Sequence, residues 1–373
     1  MTFFCNLPFT EIQSYGDTSA WPCCAFRGKA FIPLANYTND TQLREVKSQL
    51  LRGEVPDQCM ACHNAEKNTG HSFRLVAESF HPDVTEEIKK QNDPDYFDLR
   101  NVTITTSNIC NLKCLPCGNS SYVRHLELQK LGLTNAIPIV EKNSNLDALL
   151  KLDFKRLTML GGEPFYDVVT FDFLKKLVEQ GRSKNISVDL NTNMTSVTDD
   201  KMSFLSDNFS SIILKASIDG IGAVNNYLRY PSDWETIEQN LEKLARYPNV
   251  DVVVTTALSN LALIKYHEVV RWAADKKLNL FISTVFSPDV LRPNLLPPGL
   301  HQKLLKIYTE LKSQLSGQVW DRTEYCIDSC ISICNSNEYN HEKFQEFLSW
   351  IKLHDQHRGQ AMLDVFPELV DYL

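Results

Sequence analysis

From residue 101 onward the chain alternates short apolar runs with longer amphipathic stretches. NVTITTS, RLTMLGG, ISVDLNTN, IILKASID, VDVVVTTAL and LNLFISTVF read as six strands, beginning at Asn101, Arg156, Ile186, Ile212, Val250 and Leu278. Helical spacing fills the intervals over about Ser120–Leu131, Phe171–Glu179, Asp199–Leu205, Trp234–Ala245 and Tyr266–Lys276. Strands alternating with helices of this length imply βαβ units and a parallel sheet. The fold class is therefore α/β, and six units fit an open partial (β/α)6 barrel better than a closed barrel of eight. In such sheets ligands gather at the carboxyl ends of the strands.

The flanks are different. Residues 1–97 show weak periodicity and hold Cys5, Cys23, Cys24, Cys59 and Cys62. Gly16 and Pro22 punctuate a hairpin there, and Thr41–Leu51 reads as a short helix stopped near Gly53 and Pro56. Residues 134–150 read as an insertion. After Pro288, with Pro293, Pro297 and Pro298 as breakers, the remainder reads as helical. A chain of 373 residues exceeds one hydrophobic core. The expected division is a cysteine-rich domain over 1–97, the partial barrel over 98–290 and a helical extension over 291–373.

Charge narrows the partners. The chain carries 38 basic and 46 acidic residues, a formal net charge of −8. That argues against nucleic acid as a partner, which needs a basic footprint. No apolar run approaches the ~20 residues of a membrane span. The start, MTFFCNLPFTEIQ, lacks the basic and apolar regions of a signal peptide. A cytoplasmic location without membrane association is expected. Eleven cysteines in CxxC-type groupings then read as metal ligands rather than disulfides.

Three of them carry the sharpest signal. Cys110, Cys114 and Cys117 form CxxxCxxC directly after the first strand. Three thiolates at this spacing suit one small centre and leave a fourth position open, the mark of a metal site that does chemistry. A glycine pair, Gly161 and Gly162, ends the second strand and is followed by Glu163 and Pro164. The third strand ends in Asn191 and Asn193, and the fourth leads to Ser217 and Asp219.

This ordered set resembles the radical S-adenosylmethionine (radical SAM) enzymes over residues 98–290. The resemblance implies a [4Fe–4S] cluster on Cys110, Cys114 and Cys117, with SAM chelating the open iron. It implies reductive cleavage of SAM to a 5′-deoxyadenosyl radical, which takes a hydrogen atom from substrate. The Gly161 and Gly162 carbonyls and the Glu163 carboxylate would accept from the methionyl ammonium, Pro164 would stiffen the turn, and the glycines would allow close approach to SAM. Asn191, Asn193, Ser217 and Asp219 would hold ribose and carboxylate. Arg229, in NNYLRYPSDW, resembles a family arginine that pairs with the SAM carboxylate. Where many members have an aromatic residue before the third cysteine, this chain has Pro116.

The amino-terminal pattern C…PF…G…PCC…GE-P-x-x-C-x-x-C resembles the SPASM/twitch domains that carry auxiliary clusters, here placed ahead of the barrel. It implies a second, auxiliary [4Fe–4S] cluster on Cys5, Cys23, Cys59 and Cys62, with Cys24 a buried spare; a structural zinc fits the same spacing. The ending LHDQHRGQAMLDVFPEL also resembles twitch-domain radical SAM proteins. Such enzymes imply a peptide or protein substrate that is epimerised, cross-linked or dehydrogenated. They also imply a low-potential electron donor such as flavodoxin or ferredoxin. A small-molecule substrate, such as a sugar or nucleotide, stays open, as does a non-catalytic Fe–S or zinc protein. Cys326, Cys330 and Cys334 recur every four residues on one helical face. Cys330 is a candidate hydrogen-atom donor; the alternatives are that the three are ligands of another cluster, or that they pack on a buried face.

Overall fold

The computed structural model describes the chain except residues 1–2, 16–18, 29–31, 70–71, 81, 119, 316, 318–320 and 337. Gly16 of the expected hairpin lies outside the described residues. The two sides of that hairpin do meet: Gln13 and Trp21 exchange backbone hydrogen bonds of 2.8 Å.

One sheet organises the molecule. Its strands are β1 (Glu11–Tyr15), β2 (Asn101–Thr105), β3 (Arg156–Leu160), β4 (Ser187–Thr192), β5 (Ser211–Ser217), β6 (Val250–Leu258) and β7 (Asn279–Thr284). They lie in chain order, and every pairing is parallel. β1 and β7 are the outer strands of this open partial barrel, with Trp21 bridging to Gln13 on the outer side of β1. All six expected strands are present. β1 is a seventh, and it comes from the cysteine-rich region: Glu11 pairs with Asn101 and Tyr15 with Thr105. Its sequence EIQSY is too short and too polar to announce a core strand.

Period-two alternation sorts the two faces of the sheet. Val102, Ile104, Leu157, Met159, Val188, Leu190, Ile212 and Leu214 are fully buried on the face covered by helices. The opposite, inner face is polar. One row across it runs Gln13, Thr103, Thr158 and Asp189. Asp189 accepts from Arg156 and from Lys215 at 2.6 and 2.9 Å. Burial alone would make this carboxylate costly, and its two cationic partners offset that.

The helices used below are α1 (Thr41–Leu51), α2 (Met60–Thr69), α3 (Phe73–Phe80), α4 (Pro82–Gln91), α5 (Tyr122–Lys130), α6 (Val168–Glu179), α7 (Asp199–Asn208), α8 (Ala223–Leu228), α9 (Trp234–Lys243), α10 (Asn260–Asp275), α11 (Pro298–Leu315), α12 (Asp321–Cys334) and α13 (His341–Arg358). α1 has the expected bounds: Asp40 caps it by accepting from the Leu43 amide at 2.9 Å, and Gly53 follows with φ of 76°. α10 starts six residues earlier than its apolar spacing suggests, because Ser259 caps it and Asn260 reaches the Val290 carbonyl. Helices α2 to α4 were not legible from periodicity. They pack Phe3, Phe4, Leu7, Phe9, Phe26, Val46, Leu50, Val84 and Ile88 into a second, smaller core. Residues 134–150 hold only the short turn Leu146–Leu149 of helix. The residues after 297 form α11, α12 and α13, as the proline breakers suggest. Among the described residues no helix is long and apolar enough to cross a membrane.

Candidate active site at the strand ends

The loop after β2 carries the three cysteines. Cys110 and Cys114 are buried and Cys117 is half-buried, packed with Leu112 and Val123. Burial, with the neighbouring Cys114 thiol adding to it, pushes the Cys110 thiol up to about 12. Cys114 is also pushed up to about 12 by burial, against the pull of Arg229 and Arg358. Thiolate ligands buried this way call for a centre that supplies cationic charge.

The glycine pair seats this loop. The Gly162 amide donates to the Ser107 carbonyl at 3.0 Å, and the Glu163 amide donates to the Ile109 carbonyl at 2.8 Å. A Cβ on Gly162 would stand 1.9 Å from the Ile109 carbonyl oxygen, and one on Gly161 would stand 2.7 Å from that of Ser107. Gly161 also has φ of +143°, which disfavours any side chain. The close approach that requires glycine is thus to the cysteine loop. The expectation that these residues lack Cβ to admit SAM is corrected to that extent; their carbonyls remain at the strand end. Asp167 fastens the same loop from α6, accepting from Thr106 and Ser107 hydroxyls at 3.0 and 2.8 Å.

Glu163 is 1% exposed and already engaged. It accepts from the Thr192 hydroxyl, the Asn193 amide and the Phe165 amide at 2.7, 2.6 and 3.0 Å. Three of its roughly four acceptor positions are thereby filled. Its main work here is to tie the end of β3 to the end of β4. Pro164 sits within the turn that Glu163 holds. Asn193 donates to Asn111 of the cysteine loop at 2.8 Å. Asn191 differs: its Oδ1 is buried and has no hydrogen-bond partner. An orphaned acceptor at a strand end fits a ligand donor such as a ribose hydroxyl.

Asp219 is fully buried beyond β5. It accepts from the Ala257 amide at 2.8 Å and pairs with Arg229 at 2.8 Å. Arg229 Nη1 lies 3.9 Å from the Cys114 sulfur. Ser217, half-buried, ends β5 beside Thr255 of β6. The structure thus brings Cys110, Cys114, Cys117, Gly161 to Pro164, Asn191, Asn193, Ser217, Asp219 and Arg229 to one end of the sheet. Neither Asp219 nor Arg229 is free: each already has the other.

Residues 104–284 match the model of the Radical SAM superfamily. The chain carries a radical SAM domain. The family is one of enzymes that use SAM and a [4Fe–4S] cluster. Among solved structures the chain resembles native anSMEcpe with bound AdoMet. Identity is 19% and the TM-score 0.44, over 59% of this chain and 63% of that one. It also resembles SuiB of Streptococcus suis bound to S-adenosylmethionine. There identity is 13% and the TM-score 0.41, over 73% of this chain and 64% of that one. A further structure shows SuiB bound to its precursor peptide SuiA. The chain spans under two thirds of the length of these neighbours. Likenesses this distant do not bear on substrate. No curated protein matches the chain.

Ahead of the radical SAM domain, Cys5, Cys23, Cys59 and Cys62 line one cavity with Phe26, Phe73 and Arg74. Cys24, expected as a buried spare, is instead exposed and does not line it. Cys59 immediately precedes α2 and Cys62 lies in its first turn, so the CxxC pair sits at a helix start. The Cys23 turn is stitched to it by the Arg27 amide, which donates to the Gln58 carbonyl at 3.0 Å. Burial pushes the Cys59 thiol up to about 12, with Cys62 adding and Arg74 opposing. Among the described residues no three His, Cys, Asp or Glu side chains stand close enough to hold one metal ion. The four thiols surround a space rather than a point.

Cys326, Cys330 and Cys334 are all buried on α12. Cys330 is fully enclosed in the main core; burial raises its thiol well above the ordinary range, and Tyr308 lies beside it. Tyr308 in turn donates to the Leu263 carbonyl at 2.6 Å, so this cluster is wedged between α10, α11 and α12.

Sequence reasoning missed the residues behind the cysteine loop. Lys113, between Cys110 and Cys114, donates its amide to the Tyr230 carbonyl at 2.6 Å and accepts from Arg358 at 2.5 Å. Arg358 is more than two hundred positions away, and only its place in the twitch-like ending hinted at a role.

Proposed function

We propose that Cys110, Cys114 and Cys117 hold the [4Fe–4S] cluster of the radical SAM domain, and that the strand ends above them hold SAM. The observation that carries this is the seating of the CxxxCxxC loop on Gly161 and Gly162, where a Cβ cannot fit. When bound, this cofactor pair supplies a 5′-deoxyadenosyl radical that takes a hydrogen atom from substrate. The chain's own contribution is placement. Asn191 offers a free acceptor, Ser217 a hydroxyl, and the Gly161 and Gly162 carbonyls further acceptors. Glu163, Asn193, Asp219 and Arg229 keep four strand ends in register. Residues 98–290 act as the catalytic core, with a low-potential donor of the flavodoxin or ferredoxin type as electron source.

Cys5, Cys23, Cys59 and Cys62 form the auxiliary centre in this reading, within residues 1–97. The cavity they share, from which Cys24 is excluded, supports it.

A peptide or protein is the favoured substrate. Exposed apolar side chains occur in the segments that follow several strand ends: Ile137 and Ile139 after the cysteine loop, Tyr166 and Val168 after β3, and Phe286 after β7. Asn108 fixes the first two close to the cysteine loop, donating to the Ile139 carbonyl at 3.0 Å. An apolar rim beside an open sheet edge suits a side-chain-bearing chain. A small polar molecule is the second reading, favoured by the polar inner face around Asp189, Arg156 and Lys215.

Anaerobic protein reconstituted with iron and sulfide, given dithionite and SAM, should release 5′-deoxyadenosine. The triple change of Cys110, Cys114 and Cys117 to Ala should abolish release. Continued cleavage in that variant would sink the assignment. Extract of cells grown in D₂O, split by size, separates the substrates. Deuterium entering 5′-deoxyadenosine from the peptide fraction supports the first reading, and from the small-molecule fraction the second.

A further inference from the structure

We infer that Arg358, at the end of α13, is a positioning residue that clamps the cluster loop and supplies positive charge beside it. The inference rests on the reading of Cys110, Cys114 and Cys117 as cluster ligands. Arg358 Nη2 donates to the Lys113 carbonyl at 2.5 Å, one residue before Cys114. The Lys113 amide donates to the Tyr230 carbonyl at 2.6 Å, so this peptide is gripped at both ends. The Arg358 guanidinium also lies 4.9 Å from the centre of the Tyr230 ring. Tyr230 follows Arg229, which reaches the Cys114 sulfur itself.

Arg358 is held in place by its own partners. Its Nε and Nη2 meet Glu127 of α5 at 2.8 and 2.7 Å, with both side chains about 1% exposed. Arg124, fully buried, pairs with the same Glu127 and bonds His354 at 2.9 Å. His354 donates from Nδ1 to the Trp350 carbonyl at 2.8 Å, which leaves Nε2 as the acceptor for Arg124 and the ring neutral. Asp355, the other acid facing Arg358, is occupied by Tyr227 and the Met362 amide. Two buried arginines therefore share one directly paired carboxylate, on the side of α5 that begins just after Cys117. The carboxy-terminal helix is a structural part of the cluster site, though it lies outside the matched domain.

A cluster becomes more negative on reduction, and its potential follows nearby charge and hydrogen bonds. The measurement is the midpoint potential of the three-cysteine cluster by EPR-monitored titration. It is made on full-length protein in which Cys59 and Cys62 are changed to Ala to silence the amino-terminal centre. Arg358→Gln should shift the potential to more negative values and weaken the change in the EPR spectrum on SAM addition. Arg358→Lys, which keeps the charge, should return the potential toward the parent. Glu127→Gln removes the counter-charge and should shift it the other way, which reads the same field should Arg358→Gln fold poorly. If Gln and Lys at 358 both match the parent, or shift equally, the inference is overturned. Iron unaffected by the triple change of Cys110, Cys114 and Cys117 would overturn the function reading itself.

Discussion

Arg229 bridges Asp219 and Cys114: its Nε lies 2.8 Å from one carboxylate oxygen, and its Nη1 lies 3.9 Å from the sulfur. One side chain thus joins the residue beyond β5 to the loop beyond β2, across the mouth of the sheet. Burial lowers the guanidinium's tendency to stay charged, but Asp219 and Cys114 outweigh it and raise its pKa. A cation that cannot be lost, next to a sulfur that must become a thiolate, favours assembly of a metal centre there.

Changing Asp219 to Ala should be costly for that reason. It leaves Arg229 buried without a counter-charge, and breaking a buried pair from one side costs about 3–5 kcal/mol. Urea unfolding of the metal-free protein reads this directly. The double change Asp219→Ala with Arg229→Met should recover much of the loss. Equal stability of the single and double variants would show that the pair carries no coupling.

Gly162→Ala should unseat the cysteine loop. The new methyl would have to displace the Ile109 backbone, one residue before Cys110, and overpacking of this kind costs about 1–3 kcal/mol or more. The readout is iron retained after gel filtration. About half of it should be lost if the amino-terminal centre is also a four-iron cluster, since two such clusters hold ~8 irons. Gly222→Ala is the comparison: its φ of +58° makes it strained too, but no atom lies within 4 Å of its added Cβ, so it should cost stability and keep its iron.

The amino-terminal cysteines can be told apart. Cys23→Ala should remove the metal of that centre and Cys24→Ala should keep it, since only Cys23 lines the shared cavity. Metal analysis also identifies the centre: ~4 irons lost means a cluster, and ~1 zinc lost means a structural ion. Loss in the Cys24 variant alone would reverse the assignment.

What could be read from the sequence follows from how local each signal was. Leu157 to Gly162 announced both a buried strand and its end, because apolar run and glycine pair are adjacent. The cysteine spacing was local too. Glu163 was picked out as a ligand for SAM, but its oxygens turn toward Thr192 and Asn193, a contact between strands that no spacing reveals. β1 was missed because its inner residues, Glu11, Gln13 and Tyr15, are polar: one side of this sheet is lined with polar groups that satisfy one another. Gln13 donates to Glu11 at 2.5 Å, and Thr103 donates to it at 3.1 Å. The clamp of Arg358 on Lys113 joins the cysteine loop to a helix 245 positions further along the chain, so only the fold discloses it.

Acid should loosen the α5–α13 contact in two stages. Burial first, then Arg124, lowers His354 to about 3. The unfolded chain protonates near the ordinary histidine value of 6.5. A depressed folded pKa means stability is present above 6.5 and is lost as pH falls toward 3. Burial works against the Glu127 carboxylate, but Arg358 and Arg124 hold it at about 2, so its share is lost between about 4.5 and about 2. Urea midpoints of the metal-free protein should therefore fall from pH 6.5 to pH 5 more steeply than in His354→Gln, whose amide can still accept from Arg124. Parallel curves would refute the assignment of that slope to His354.

Cys330 is the residue whose chemistry and packing predict opposite outcomes. A hydrogen-atom donor must reach substrate, and its S–H exchanges with water, so product formed in D₂O would carry deuterium at the reacting carbon. Cys330 is instead enclosed at 0% exposure, with Tyr308 and Tyr266 beside it. The packing account expects Cys330→Ala to cleave SAM and turn over substrate as the parent does. It expects a loss of about 1 kcal/mol in stability for one small buried group, by the measure of other large-to-small core changes. Cys330→Leu should cost more, because the space between α11 and α12 is already filled. If Cys330→Ala stops product formation while 5′-deoxyadenosine is still released, the donor role is right, and the core around Tyr308 must open during turnover.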